Sequence, residues 1–67
     1  MDVTKQVGET AGAVWRLLDE SGPQTFAELK RKLDGSGDLL AFAIGWLARE
    51  DKLQIQPEKK SYLLQLR

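Results

Sequence analysis

The sequence predicts a single α+β domain over residues 1–67, mostly helical, in which three helices are followed by a β-hairpin. Up to Glu50 the apolar residues recur at intervals of three and four, which is the period of amphipathic helices. Stops that contain Gly or Pro divide this part into three segments. After Lys52 the apolar period changes to two, which indicates strands.

The composition excludes several classes of function. The chain has no Cys and no His, so a disulfide framework, a Cys/His zinc site, a thiol nucleophile and a Ser–His relay are all absent. Lys and Arg together number 10, as do Asp and Glu, so no net charge draws the chain toward nucleic acid or anionic lipid. We therefore expect a protein that is not an enzyme and holds no metal or cofactor.

The start of the chain, MDVTKQVGET, lacks the basic and apolar regions of a signal peptide. No apolar run is long enough to span a bilayer, so we expect no membrane partner. Together these observations predict a cytoplasmic protein.

The first helix is predicted from about Val3 to Ser21. Its apolar stripe consists of Val3, Val7, Ala11, Val14 and Leu18. Gly8 and Gly12 lie beside this stripe, and each lowers helix propensity by about 1 kcal/mol relative to Ala. Close approach of another backbone is one possible compensation, and simple tolerance is the other. Ser21-Gly22-Pro23 ends the helix, because Gly suits the position after a helix and Pro cannot continue it.

The second helix is short and begins at a predicted capping box. In that motif the Thr25 hydroxyl and the Glu28 carboxylate each accept a hydrogen bond from a free backbone N–H at the helix start. Phe26, Leu29 and Leu33 share one side of the helix. Lys30-Arg31-Lys32 lies near its end, where positive charge suits the helix dipole, and Asp34-Gly35 breaks it.

The third helix is predicted from Gly37 to Glu50 with Ser36 as its cap, and it contains the apolar run LLAFAIGWLA, residues 39–48. On a helical wheel this run has two apolar faces. The face predicted to enter the core consists of Leu40, Ala43, Ile44 and Leu47. A second face, about 100° away, consists of Leu39, Phe42 and Trp46.

A β-hairpin completes the chain. Leu53 and Ile55 alternate with glutamines, residues 57–60 are predicted to form the turn, and Tyr62, Leu64 and Leu66 alternate in the second strand. This pattern predicts one face of the hairpin on the core.

The order of these elements, together with the pattern Ala43-Ile44-x-x-Leu47-x-Arg49-Glu50-x-Lys52-Leu53, resembles the winged helix-turn-helix superfamily. The segment GWLARE, residues 45–50, is a more specific signature than this superfamily pattern. The whole chain is similar to a family of short uncharacterised bacterial winged helix-turn-helix proteins. The resemblance covers almost every residue and implies the fold, but it leaves function open, because the same scaffold serves DNA readers, dimerisation modules and protein-binding domains.

In DNA-binding relatives, the resemblance implies that the third helix enters the major groove with polar and basic residues outward. Here the outward positions are Asp38, Phe42, Gly45, Trp46 and Arg49. Only Arg49 suits that task, and Asp38 would repel phosphate. Asp51 is a second departure, because the superfamily often places Gly at this helix end.

Two functions follow as alternatives. The first is a protein-interaction module, either a homodimer or a binder of another protein. Its predicted interface is Trp15, Leu39, Phe42, Gly45 and Trp46. The competing interpretation of Leu39, Phe42 and Trp46 is ordinary core covered by the hairpin or the first helix.

The second function is a DNA-binding transcriptional regulator. Its predicted contacts are Lys30, Arg31, Lys32, Arg49, Lys52, Lys59 and Lys60. The competing interpretation is a solvated helix end and a charged hairpin tip that discourages edge pairing.

Overall fold

The computed structural model describes residues 2–33 and 37–67. Its elements are α1 (Val3–Ser21), β1 (Gln24–Thr25), α2 (Phe26–Leu33), α3 (Gly37–Arg49), β2 (Leu53–Glu58) and β3 (Ser61–Leu66). The three helices and the hairpin are confirmed, whereas β1 was not predicted. The predicted break at Asp34-Gly35 and the predicted cap at Ser36 lie outside the described residues.

Both ends of α1 have local causes. At the start, the Asp2 side chain accepts a hydrogen bond of 3.2 Å from the backbone N–H of Lys5. At the end, Gly22 has a φ of 79° and donates its N–H to the Leu18 carbonyl at 2.9 Å. Only glycine adopts this backbone conformation at little cost, so the predicted stop at residues 21–23 is confirmed.

The capping box at the start of α2 is also confirmed. The Thr25 N–H donates to Glu28 Oε1 at 2.8 Å, and the Glu28 N–H donates to Thr25 Oγ1 at 3.2 Å. Two backbone donors that the helix leaves free are thereby satisfied by side chains.

The C-terminal end of α3 forms a Schellman motif. The Asp51 N–H donates to the Ala48 carbonyl at 3.0 Å, and the Lys52 N–H donates to the Leu47 carbonyl at 2.9 Å. Asp51 has a φ of 61°, so it occupies the left-handed position where the superfamily often has Gly. Its carboxylate forms an ion pair of 2.9 Å with Arg67. The helix itself ends at Arg49, one residue before the predicted end.

The three strands form an antiparallel sheet in the order β1-β3-β2. β2 is an edge strand, in which Pro57 lies opposite Tyr62. The prediction of a turn over residues 57–60 is wrong at its start, because Pro57 and Glu58 belong to β2 and only Lys59 and Lys60 form the turn. An edge strand accepts proline, since the missing N–H need not pair with a neighbour on the open side.

The core lies between the helices and the base of the hairpin. Its buried residues are Ala11, Val14, Leu18, Leu29, Leu40, Ala43, Ile44, Leu47, Leu53 and Leu64. The predicted inner face of α3 is therefore confirmed. Val3, Ile55 and Tyr62 were expected on apolar stripes that face the core, but they are 49%, 43% and 53% exposed. Ile55 and Tyr62 border one open groove beside α3 and Val3 borders another, so helix packing leaves these side chains exposed.

Gly8 and Gly12 are exposed on α1, and a Cβ atom built on either one would meet no atom within 4 Å. Within the described chain, close approach of another backbone is therefore not what compensates for these glycines.

Candidate functional site

The side of α3 that faces away from the core is exposed along its whole length. We call this side the α3 outer face; its residues are Asp38, Ala41, Phe42, Gly45, Trp46 and Arg49. Phe42 is 57% exposed and Trp46 is 51% exposed. Neither the hairpin nor α1 covers these two aromatic rings, so the interpretation of Phe42 and Trp46 as core is wrong.

An open groove lies beside the α3 outer face, where the first turns of α1 approach α3. It is lined by Val3, Thr4, Val7, Ala41, Phe42, Gly45 and Trp46. None of these side chains carries a charge, and Thr4 is the one polar member. A binding partner for this groove must therefore present apolar surface, because an ion placed here would lose its water without gaining a counter-charge.

A second groove lies on the opposite side of the α3 outer face, between α3, the start of α2 and the hairpin. It is lined by Phe26, Ala41, Ile44, Gly45, Ile55, Tyr62 and Leu64. Ala41 and Gly45 line both grooves and form a low ridge between them. The exposed apolar surface is therefore continuous from Val3 to Tyr62, and we call it the two-groove surface.

The space above Gly45 is unfilled. A Cβ atom built on Gly45 would meet no atom within 4 Å, so no part of the described chain covers this position. With Ala41 one turn earlier, Gly45 leaves a flat strip along the helix between larger neighbours. Such a strip allows a second polypeptide to approach the helix backbone closely.

Three of the five predicted interface residues, Phe42, Gly45 and Trp46, are brought together on this surface. Leu39 is half-buried and lines a different groove, together with Lys30 and Leu33 of α2. Trp15 is 39% exposed on α1 and does not line either groove of the two-groove surface.

Five exposed residues of this surface were not predicted from the sequence, and they are Val3, Thr4, Ala41, Ile55 and Tyr62. The signal for Ala41 was available, since it lies four residues before Gly45 and so on the same side of the helix. Val3, Ile55 and Tyr62 had been placed on core stripes, because a periodic pattern does not show where the core ends.

The basic cluster of α2 is only partly free to bind a ligand. The Lys32 amine donates to the side-chain oxygen of Gln24, which is a buried residue in β1. Gln24 in turn donates its Nε2 to the Leu17 carbonyl of α1 at 3.1 Å. Lys32 thus completes the hydrogen bonding of a buried amide that joins α1, β1 and α2. Arg31 is exposed, and the stem of Lys30 lies close to Gly37.

The remaining predicted DNA contacts are exposed but dispersed over different elements. Arg49 ends α3 and Lys52 precedes β2, whereas Lys59 and Lys60 form the hairpin turn. On the α3 outer face Arg49 is the single cation, and Asp38 at the opposite end of the helix balances it. The helix that would enter a DNA groove therefore presents no net positive charge.

Within residues 2–33 and 37–67, no cluster of three or more His, Cys, Asp or Glu side chains could hold a metal ion. In that same part of the chain, no helix has the length and hydropathy needed to cross a membrane. The pKa of Glu28 lies below its ordinary value, mainly because its carboxylate accepts the backbone N–H of Thr25. This shift belongs to the helix cap and indicates no reactive group.

Three helices, an exposed α3 in the position of a recognition helix and a hairpin wing define a winged helix-turn-helix domain. The chain belongs to the family described as winged helix-turn-helix domain (DUF2582), whose model matches residues 1–66. It is 35% identical to the uncharacterized protein MJ1608 of Methanocaldococcus jannaschii, over 98% of this chain and 97% of that protein. No solved structure gives a significant match. This relative is archaeal, so the expectation that the family is bacterial is not confirmed.

Proposed function

We propose that this domain is a protein-interaction module that self-associates through the two-groove surface. The observation that carries the proposal is the exposure of Phe42 and Trp46, 57% and 51%, beside two uncharged grooves. A continuous apolar patch of this kind on a small domain is typical of an interaction site, and aromatic residues are its usual anchors.

Burial energy favours a polypeptide partner over nucleic acid. Transferring a large apolar side chain from water to an interface stabilises a complex by about 1.5–3 kcal/mol. Phe42 and Trp46 are each about half exposed, so each offers about half of this gain to another apolar surface. A phosphate backbone offers no matching apolar area, and it would also face the carboxylate of Asp38.

DNA binding is the second candidate. It is supported by the winged helix fold and by the two exposed lysines, Lys59 and Lys60, at the tip of the wing. In this version Arg31, Arg49 and Lys52 add phosphate contacts. Its weakness is the apolar middle of the α3 outer face, where base contacts would be made.

Two variants separate the candidates. Trp46→Arg places a charge on the two-groove surface, so under the first proposal it abolishes the dimer measured by light scattering. Lys59→Glu with Lys60→Glu leaves that dimer intact under the first proposal, but it removes duplex binding under the second.

The DNA side of the test is fluorescence anisotropy with a random duplex at low and physiological salt. A weak signal that Trp46→Arg leaves unchanged or raises fits the first proposal, because the added cation gives only non-specific attraction. A monomeric chain that binds duplex tightly, and loses it through the lysine changes, would replace the first proposal with the second.

A further inference from the structure

We infer that the occupant of the two-groove surface is a second copy of this chain, with the two α3 helices packed antiparallel about a two-fold axis. This axis crosses the α3 outer face at the level midway between Ala43 and Ile44 along the helix. This inference rests on the proposed function and adds the arrangement of the partner. It comes from the order of residues along the α3 outer face. When a second copy runs in the opposite direction, this order brings opposite charges together and places a large side chain against a small one.

The charges are complementary in this arrangement. Asp38 begins the α3 outer face and Arg49 ends it, eleven residues later or about 16 Å along the axis. An antiparallel copy centred as described places Arg49 of the second copy beside Asp38, and the symmetry forms the same pair at the other end. A parallel arrangement in register would instead place like charges together.

The side-chain sizes are complementary in the same register. Phe42 lies at the level of Gly45 of the second copy, and Trp46 lies at the level of its Ala41. Phe42 and Gly45 are about 60° apart around the helix, so the Phe42 ring can lie over the open space at Gly45. Trp46 and Ala41 are about 140° apart, so Trp46 packs instead on the same flank of the second copy. Residues at matching levels of an antiparallel helix pair are neighbours when both lie near the middle of the contact face, so large against small fills the layer of Phe42 and Gly45.

The flanks of the surface supply the area that a stable dimer needs. A standard interface buries about 800 Å² on each partner, which is roughly one sixth of the 4740 Å² exposed by this chain. The α3 outer face alone is a single 13-residue helix, but the two-fold axis also brings each flank against its own copy. The exposed Val3 on one flank, and Ile55 and Tyr62 on the other, then become covered.

Charge reversal with mixing tests this register. Asp38→Arg alone and Arg49→Asp alone each place like charges at both ends of the homodimer. Each is expected to weaken self-association about tenfold, since two exposed ion pairs are replaced by two repulsions. Mixing the two single variants restores both attractions, and native mass spectrometry, which separates the species by mass, should show the heterodimer in excess over either homodimer.

The double variant, Asp38→Arg with Arg49→Asp, should dimerise like the original chain. Both of its changes oppose the helix dipole, so recovery of the dimer is not a result of a more stable helix. The matched control is the pair Arg16→Asp and Glu20→Arg on the exposed side of α1, which should leave self-association unchanged and show no preference for mixed dimers. Circular dichroism at each step confirms that the variants remain folded.

The outcomes distinguish failure of the antiparallel register from failure of self-association itself. If the original chain dimerises and Trp46→Arg dissociates it, but mixed and unmixed charge variants behave alike, the antiparallel register is wrong and the proposed function stands. If the original chain is monomeric, both the register and self-association are overturned. Excess heterodimer with recovery in the double variant supports both.

Discussion

Replacing Gly45 with Arg separates the binding role of α3 from its stability. Gly45 is exposed in the middle of a helix, and a Cβ atom there meets nothing within 4 Å, so the new side chain fits the isolated domain without strain. Arg is the better helix former by about 0.8 kcal/mol. For a domain of this size, that gain raises the melting temperature by about 3–6 °C.

The same substitution should abolish self-association. The guanidinium would lie on the ridge between the two grooves, where a bound polypeptide excludes water and no carboxylate lines either groove. An uncompensated buried charge costs about 3 kcal/mol or more, which weakens the complex over a hundredfold, as an order of magnitude. Gly45→Arg should therefore be a more stable fold and a poorer dimer.

Gly12→Arg is the matched control. Gly12 is also an exposed helical glycine with open space at its Cβ position, but it lies on α1 outside the two-groove surface. It should show the same gain in melting temperature and no change in self-association. Melting is followed by circular dichroism at a protein concentration low enough to dissociate the dimer, because association itself raises the melting temperature. The molar mass is followed by sedimentation velocity.

A role for Gly45 in self-association is refuted if Gly45→Arg sediments like Gly12→Arg. It is also refuted if Gly45→Arg binds random duplex much more tightly than Gly12→Arg while neither variant differs from the original chain in mass, because α3 would then be acting as a DNA-reading helix.

Three further predictions concern the elements that position the surface. Thr25→Ala removes the hydroxyl that caps α2 and should lower the free energy of unfolding by about 1 kcal/mol in urea titrations; an unchanged midpoint would contradict the cap. The folded pKa of Glu28 is depressed, so its contribution to stability is complete above the unfolded value of about 4.3 and is lost as the pH falls through the folded pKa. The stability difference between the original chain and Glu28→Gln should therefore shrink below about pH 4.3, and a constant difference would contradict this assignment. Asp51→Gly relieves a left-handed φ of 61° but removes the exposed ion pair with Arg67, and it should stabilise the fold by about 0.5–1 kcal/mol; a loss of stability would show that the ion pair outweighs the backbone.

The parts of the fold that were predicted correctly have local causes. The end of α1 at Gly22, the capping box of Thr25 and Glu28, and the inner face of α3 are each determined by residues within one or two turns of each other. Periodicity and capping chemistry are visible in such short windows.

The features that were missed depend on distant parts of the chain. The two-residue strand β1 exists because Gln24 and Thr25 lie opposite Leu64 and Leu63, far along the sequence. Burial of Gln24, and the use of Lys32 to satisfy its oxygen, follow from that same pairing. A basic cluster read from sequence alone therefore included one lysine that has a structural task.

The candidate site was predictable in kind and not in extent. The two apolar faces of residues 39–48 showed that one face exceeded what the core requires, but they left open whether the chain covers it. The answer depended on how closely α1 packs against α3 and on how closely the hairpin does, since each leaves an open groove beside α3. Neither quantity is encoded in a local pattern.

Sedimentation equilibrium of the original chain at tens of micromolar, in physiological salt, tests the central claim most directly. Self-association through the two-groove surface predicts a molar mass near twice that of one chain of 7.5 kDa. A mass of one chain at this concentration would contradict the account, because Phe42 and Trp46 would then remain in contact with water.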